Sequence, residues 1–202
     1  FAAGSNEVIL SGRRNFFYAY DLGRSAVMRI SGITGKKEKS LENFVLSPDG
    51  KYIMFLGNNG YVIMVDRKTR RWVGDLKMNG SIRALSFSPD GTELFGVGGS
   101  GEVYAWDTRR RRLLYRHADI GCINATTVAA SNDFYACGSD TGVVNIYRRS
   151  PAELGVSKNP VKALMSLTTR TDVLRFNHDG QILALGSRMQ KDSFRLVHLP
   201  SM

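Results

Sequence analysis

The sequence is short of the residues from which most binding and catalytic centres are built. Its 202 residues hold two cysteines, three histidines, two tryptophans and five prolines. Cys122 and Cys137 lie in separate apolar, strand-like segments, and neither has a CxxC partner or a neighbouring histidine. No disulfide framework or zinc site is expected, and both read as small buried thiols in a reducing compartment. His117, His178 and His198 show no ligand spacing, so no metal is expected. No apolar run nears the about 18 residues that a membrane-spanning helix requires. The opening FAAGSNEVIL has neither a charged n-region nor a long apolar h-region, so no secretory leader is expected. The formal sequons Asn79-Gly80-Ser81 and Asn124-Ala125-Thr126 then read as chance matches. Acidic residues are scarce beside basic ones, 18 against 28, and the resulting +10 suits an anionic partner such as nucleic acid.

What the chain has in quantity is repetition. Asn59-Gly60-Tyr61-Val62-Ile63-Met64-Val65-Asp66 lines up with Ser100-Gly101-Glu102-Val103-Tyr104-Ala105-Trp106-Asp107, and then with Thr141-Gly142-Val143-Val144-Asn145-Ile146-Tyr147-Arg148. The three glycines are spaced by 41 residues. Ser47-Pro48-Asp49-Gly50 and Ser88-Pro89-Asp90-Gly91 repeat the same spacing, with Ser131-Asn132-Asp133 and Asn177-His178-Asp179-Gly180 as altered copies. Two independent landmarks with one period define the building block. Each block reads as up to four short strands, a to d from the inside outwards, rich in branched and aromatic residues and parted by turn chemistry.

A period near 41 with four strands and a terminal Trp-Asp is the pattern of a WD-repeat β-propeller, an all-β fold. Five blades are predicted, at about 1–30, 41–76, 82–116, 122–167 and 171–202, with an inserted loop at 148–161. The first blade lacks an innermost strand and the last lacks an outermost one. A seven-blade ring would want about 290 residues, so the chain reads as a C-terminal, partial propeller of such a ring.

Catalytic motifs fail on context. Gly96-Val97-Gly98-Gly99-Ser100-Gly101 spells GxGxxG, but a strand follows where a dinucleotide site needs a helix N-terminus, so the glycines form a turn. Gly32-Ile33-Thr34-Gly35-Lys36-Lys37 lacks the spacing of a phosphate loop. Asp49, Asp90 and Asp179 are repeated turn residues rather than an acid–base pair. No Ser, Cys or Lys has a base and an orienting group in any known arrangement. The chain is expected to be no enzyme and to need no cofactor.

The basic clusters carry more. Arg67-Lys68-Thr69-Arg70-Arg71, the run Arg109, Arg110, Arg111 and Arg112, and Arg148-Arg149 all follow a strand c. Successive strands are antiparallel, so c–d connections share one face, and ten basic residues would line one rim able to follow an RNA backbone. The same clusters also fit a solvated turn rim that keeps the protein soluble. No aromatic stacking platform accompanies the arginines, so base-specific recognition is not expected.

Beyond the generic repeat, the chain resembles the Utp-eighteen family, WD-repeat subunits of the nucleolar small-subunit processome. The resemblance is carried by Phe17-Tyr18-Ala19-Tyr20-Asp21-Leu22, Leu76-Lys77-Met78-Asn79-Gly80, Gly101-Glu102-Val103-Tyr104-Ala105-Trp106-Asp107, Ala136-Cys137-Gly138-Ser139, Gly142-Val143-Val144-Asn145-Ile146-Tyr147 and Arg195-Leu196-Val197-His198-Leu199-Pro200. It implies a non-catalytic scaffold in the nucleus and nucleolus, within a hetero-oligomeric complex of other WD-repeat propellers. It further implies proximity to the U-three small nucleolar RNA and the pre-rRNA during 40S ribosome biogenesis. The alternative is a peptide-reading WD module, such as a ubiquitin-ligase substrate receptor, working through its d–a and b–c loops. Trp106 is the only strand-c Trp followed by Asp, so the Asp-His-Ser/Thr-Trp network of strict WD repeats is expected to be missing from most blades.

Overall fold

The computed structural model describes residues 6–33, 38–149 and 159–201. Lys36 and Lys37, and most of the expected insertion at 148–161, lie outside the described residues. The described residues form eighteen strands in five antiparallel sheets and no α-helix. The chain divides into two compact units, residues 1–82 and 83–202.

In the first unit, β1 (Glu7–Ser11), β2 (Phe17–Asp21) and β3 (Ala26–Ile30) make a three-stranded sheet, and β4 (Phe44–Leu46), β5 (Tyr52–Leu56), β6 (Tyr61–Asp66) and β7 (Trp72–Lys77) a four-stranded one. Strand alternation puts Ile9, Phe17 and Ala19 on one face of the first sheet, where they meet Ile53, Phe55, Ile63 and Val65 of the second. The Phe17 and Phe55 rings stand 5.2 Å apart, and each buried ring contributes roughly 1.5–3 kcal/mol.

In the second unit, β8 (Ile82–Phe87), β9 (Glu93–Gly98), β10 (Glu102–Asp107) and β11 (Arg112–Ala118) form one sheet. β12 (Ala125–Ala130), β13 (Phe134–Ser139), β14 (Val144–Arg148) and β15 (Lys162–Leu164) form the next, followed by β16 (Val173–Phe176), β17 (Ile182–Gly186) and β18 (Phe194–His198). Phe95 of β9 stacks on Tyr135 of β13 at 4.7 Å, and Tyr135 on Tyr147 of β14 at 5.2 Å. Leu174, Leu183, Leu185 and Leu199 close a second core against Val144 and Ile146.

Each sheet has the meander order of a propeller blade, and among the described residues the first and last sheets have three strands, as the pattern predicted. Three ends differ. β4 begins at Phe44 instead of 41, although Leu41 is buried and its carbonyl accepts the Ser11 hydroxyl. β12 begins at Ala125 instead of 122, because Cys122 N–H closes a turn onto the Asp119 carbonyl with Gly121 at φ +74°. β15 stops at Leu164 instead of 167.

The repeated landmarks have local causes. Ser47 and Ser88 hydroxyls donate to Asp49 and Asp90 at 2.5 Å and accept the Tyr52 and Glu93 amides. In the fourth copy the Asn177 side-chain oxygen takes over, accepting the Ile182 amide at 2.9 Å. Gly101 and Gly142 sit at φ +65° and +88°, and a Cβ at either would come within 2.5 Å of a carbonyl, that of Cys122 or Leu167. Two of the GxGxxG glycines are thereby explained: Gly101 by this close approach, and Gly96 because a Cβ there would lie 2.6 Å from the Trp106 ring. The glycine-rich stretch makes room for protein, not for phosphate.

Candidate nucleic-acid interface

The first three c–d turns are built from one aspartate each. Asp107 Oδ1 accepts the amides of Arg109 and Arg110 at 2.9 and 2.8 Å. Asp66 Oδ1 accepts the Thr69 amide and hydroxyl at 2.7 and 2.9 Å, and Asp21 Oδ1 the amides of Gly23 and Arg24 at 2.9 and 3.1 Å. The Thr69 amide is the chief reason the Asp66 carboxyl sits below the usual carboxylate range. In all three turns the fourth residue after the aspartate is left-handed: Ser25, Arg70 and Arg111 at φ 50°, 60° and 54°. These Asx-type turns fix the backbone through the strand-ending Asp, so the intervening side chains need not hold the turn.

The ten basic residues divide on this frame. In the first unit, Arg67 and Arg70 turn inwards onto Glu7, Arg67 Nε at 2.8 Å and Arg70 through Nη2, while Lys68 and Arg71 stand exposed. In the second unit, Arg109, Arg110, Arg111 and Arg112 are all exposed around the β10–β11 turn. Arg148 is exposed with its guanidinium 5.9 Å from the Phe134 ring.

Arg149 is corrected from a rim residue to an internal one. Its side chain is 6% exposed, and its Nε donates to Glu93 at 2.6 Å. Its Nη2 donates to Asp90 at 2.8 Å and to Thr92 Oγ1 at 3.0 Å, and its Nη1 to the Asn132 carbonyl at 3.3 Å. Burial opposes the Asp90 charge, yet hydrogen bonds from Ser88, Arg149 and Thr92 prevail and hold its carboxyl far below the ordinary range. Nothing in the sequence pairs Arg149 with residues 56 and 59 positions earlier. With Arg67, Arg70 and Arg149 engaged by carboxylates, the candidate phosphate contacts reduce to Lys68, Arg71, Arg109, Arg110, Arg111, Arg112 and Arg148.

A polar network unlike the strict WD tetrad occupies the middle of the second unit. His117 Nδ1–H donates to the Ala118 carbonyl at 3.0 Å, which leaves Nε2 to accept the Tyr135 hydroxyl at 2.7 Å. Burial keeps His117 neutral by pushing its pKa down. Asp119 accepts Tyr147 Oη at 2.6 Å and Asn145 Nδ2 at 2.8 Å, and burial raises its carboxyl in spite of them. Burial also pushes the Cys122 thiol up to about 12, leaving almost no thiolate at neutral pH. His117, Asp119, Tyr135, Asn145 and Tyr147 are all buried, and their mutual hydrogen bonds rigidify the core. Among the described residues no group of three or more metal-ligating side chains converges.

Sequence reasoning missed one feature of this rim. Trp72, the first residue of β7, directly follows the basic turn and is 45% exposed. The adjacency Arg70-Arg71-Trp72 was the available signal, hidden because apolar residues in strands read by default as core.

Repeated antiparallel meanders, three of the five with a strand c that ends in Asp, define a WD-repeat type of β protein. No protein-family model matches the chain. It is 45% identical over its whole length to the "U3 small nucleolar RNA-associated protein 18 homolog" of Arabidopsis thaliana and 36% identical to that of Mus musculus, in each case spanning 37% of the relative. It is 31% identical to the "Probable U3 small nucleolar RNA-associated protein 18" of Schizosaccharomyces pombe, spanning 40% of it. The chain is homologous along its full length to the U3 small nucleolar RNA-associated protein 18 family, and it spans a little over a third of those relatives' length.

Proposed function

We propose that the chain is a non-catalytic scaffold of the nucleolar small-subunit processome, supporting pre-18S rRNA processing through protein–protein contacts and contacts with an RNA backbone. In this reading its blades are part of a propeller ring, and its neighbours are other propeller subunits, the U3 small nucleolar RNA and the pre-rRNA. Full-length similarity to relatives named for association with U3 small nucleolar RNA supports the assignment. The single structural observation that carries the RNA part is the exposed β10–β11 turn. It displays four arginines on a backbone already fixed by Asp107, so binding a phosphate need not order the loop. Guanidinium groups suit phosphate through charge and paired hydrogen bonds.

Two measurements test it. Depletion of the protein is expected to reduce 18S rRNA and accumulate its precursors, and unchanged 18S maturation would refute the scaffold role. Replacing Arg109, Arg110, Arg111 and Arg112 with Ala is expected to weaken RNA association and flatten its salt dependence. Each lost phosphate contact removes roughly 0.7–0.9 from the slope of log K against log salt. An unaltered slope would leave the turn a solvated surface only.

A further inference from the structure

We propose that Trp72 is a stacking platform for an unpaired base of single-stranded RNA, with Lys68 and Arg71 holding the flanking phosphates. The inference rests on the RNA reading above and adds to it a base contact and a strand preference.

The geometry of β6 and β7 sets the platform. β7 pairs with β6 through a bulge, Val65 facing Trp72 while Met64 faces Gly74, so Val73 is extra. A bulge re-aims the side chains beside it. The indole N–H donates to Asp75 Oδ1 at 2.9 Å, which satisfies the polar edge and fixes the ring with its surface still 45% exposed. Lys68 and Arg71, in the turn that leads into Trp72, are both exposed, while Arg67 and Arg70 of the same turn are engaged by Glu7. An exposed indole oriented by its N–H bond, next in the chain to a turn with two exposed cations, supplies what single-strand binders use: an aromatic face for a base and cations for the backbone.

The neighbouring repeat argues that the indole is not there for folding. In the second unit, β11 carries the same bulge, with Trp106 facing Leu113 and Ala105 facing Tyr115. Leu113 occupies the place of Trp72 one repeat later and is 44% exposed. A leucine therefore meets the requirements of that register position. The indole adds a large flat π surface, held in water, that the strand pairing does not use. Stacking tolerates any base, so the site discriminates single strands from duplex rather than one sequence from another.

The chain's two tryptophans make the test direct. Trp106 is 2% exposed and stacked against Tyr104 at 5.6 Å, so it supplies a constant background, and a change in indole emission reports on Trp72. The full chain is titrated with a single-stranded oligouridylate, the same oligomer with abasic sites, a duplex of equal length, and an acidic peptide. The expected result is quenching by the single strand only. Trp72→Leu, which copies the register mate Leu113, is expected to weaken single-strand binding about 5- to 150-fold with an unaltered salt slope, and Trp72→Phe to retain most of it. Binding of the oligouridylate by Trp72→Leu at wild-type strength, or equal quenching by abasic oligomer, duplex or peptide, overturns the inference and leaves the basic-turn reading standing. Failure of the wild-type chain to bind any RNA overturns both.

Discussion

Removing the guanidinium of Arg149 is the most informative perturbation of the fold. The side chain uses its full fork: Glu93 at 2.6 Å, Asp90 at 2.8 Å, Thr92 at 3.0 Å and the Asn132 carbonyl at 3.3 Å. It ties the end of β14 to the turn between β8 and β9. Arg149→Met would leave Glu93, 8% exposed, as a buried carboxylate with no counter-charge. Breaking a buried pair in this way costs about 3–5 kcal/mol. The Asp90 side chain is 44% exposed, so solvent screens its share and the lower end of that range applies. At roughly 2–4 °C per kcal/mol for a chain of this size, the thermal midpoint should fall by about 6–12 °C. The double variant Arg149→Met, Glu93→Leu removes both buried charges and should return to within about 1 kcal/mol of the parent, because a packed apolar pair replaces a buried ion pair at little cost. The effect depends on pH with a definite sign. The folded-state pKa of Asp90 is depressed, so its contribution is present above the unfolded value of about 4 and drains away as pH falls below it. The gap between parent and Arg149→Met, followed by circular dichroism during heating, should therefore be full at pH 7 and narrow below about pH 4. A single variant that melts within about 1 °C of the parent, or a double variant as unstable as the single, would refute the reasoning.

Two further substitutions test the packing. The Tyr115 hydroxyl is buried without a hydrogen-bond partner among the described residues, so Tyr115→Phe should raise stability by about 1 kcal/mol in urea unfolding; a loss would mean that the hydroxyl is satisfied in solution. Gly101→Ala places a Cβ 2.5 Å from the Cys122 carbonyl at a φ of +65°, and should cost about 2 kcal/mol or more; a melting curve matching the parent would show that the two turns need not approach so closely.

The blade architecture was legible because it is written in local chemistry. Ser-Pro-Asp-Gly makes its turn wherever it occurs, and branched and aromatic pairs such as Val103 and Tyr104 favour strands in any context, so strand limits came out within a few residues. The altered starts arise where hydrogen bonds outside the strand ladder intervene: Cys122 closes a local turn onto the Asp119 carbonyl, and the Leu41 carbonyl is taken by Ser11, 30 residues earlier. The rim was harder to read. Arg109 and Arg149 look alike in sequence, and they part company because Glu93 and Asp90 converge on Arg149 while Arg109 stands exposed on its turn. Partners 56 and 59 residues away leave no periodic signal. Trp72 was overlooked for the opposite reason: its residue type suggested burial, and only the outer-strand position leaves it in water.

The three Asp-capped turns have a consequence for how such a protein can be altered. Asp21, Asp66 and Asp107 do the conformational work, while the residues between are Leu-Gly-Arg-Ser in one turn, Arg-Lys-Thr-Arg in the next and Thr-Arg-Arg-Arg in the third. Fold and charge are thus specified by different letters only at the exposed positions of each turn. Arg24, Lys68, Arg109 and Arg110 stand in water on a backbone that the cap already holds, so the charge they display can be rewritten without renegotiating the β-sheet, whereas Arg67, Arg70 and Thr108 stay tied to Glu7, Gly91 and Thr92.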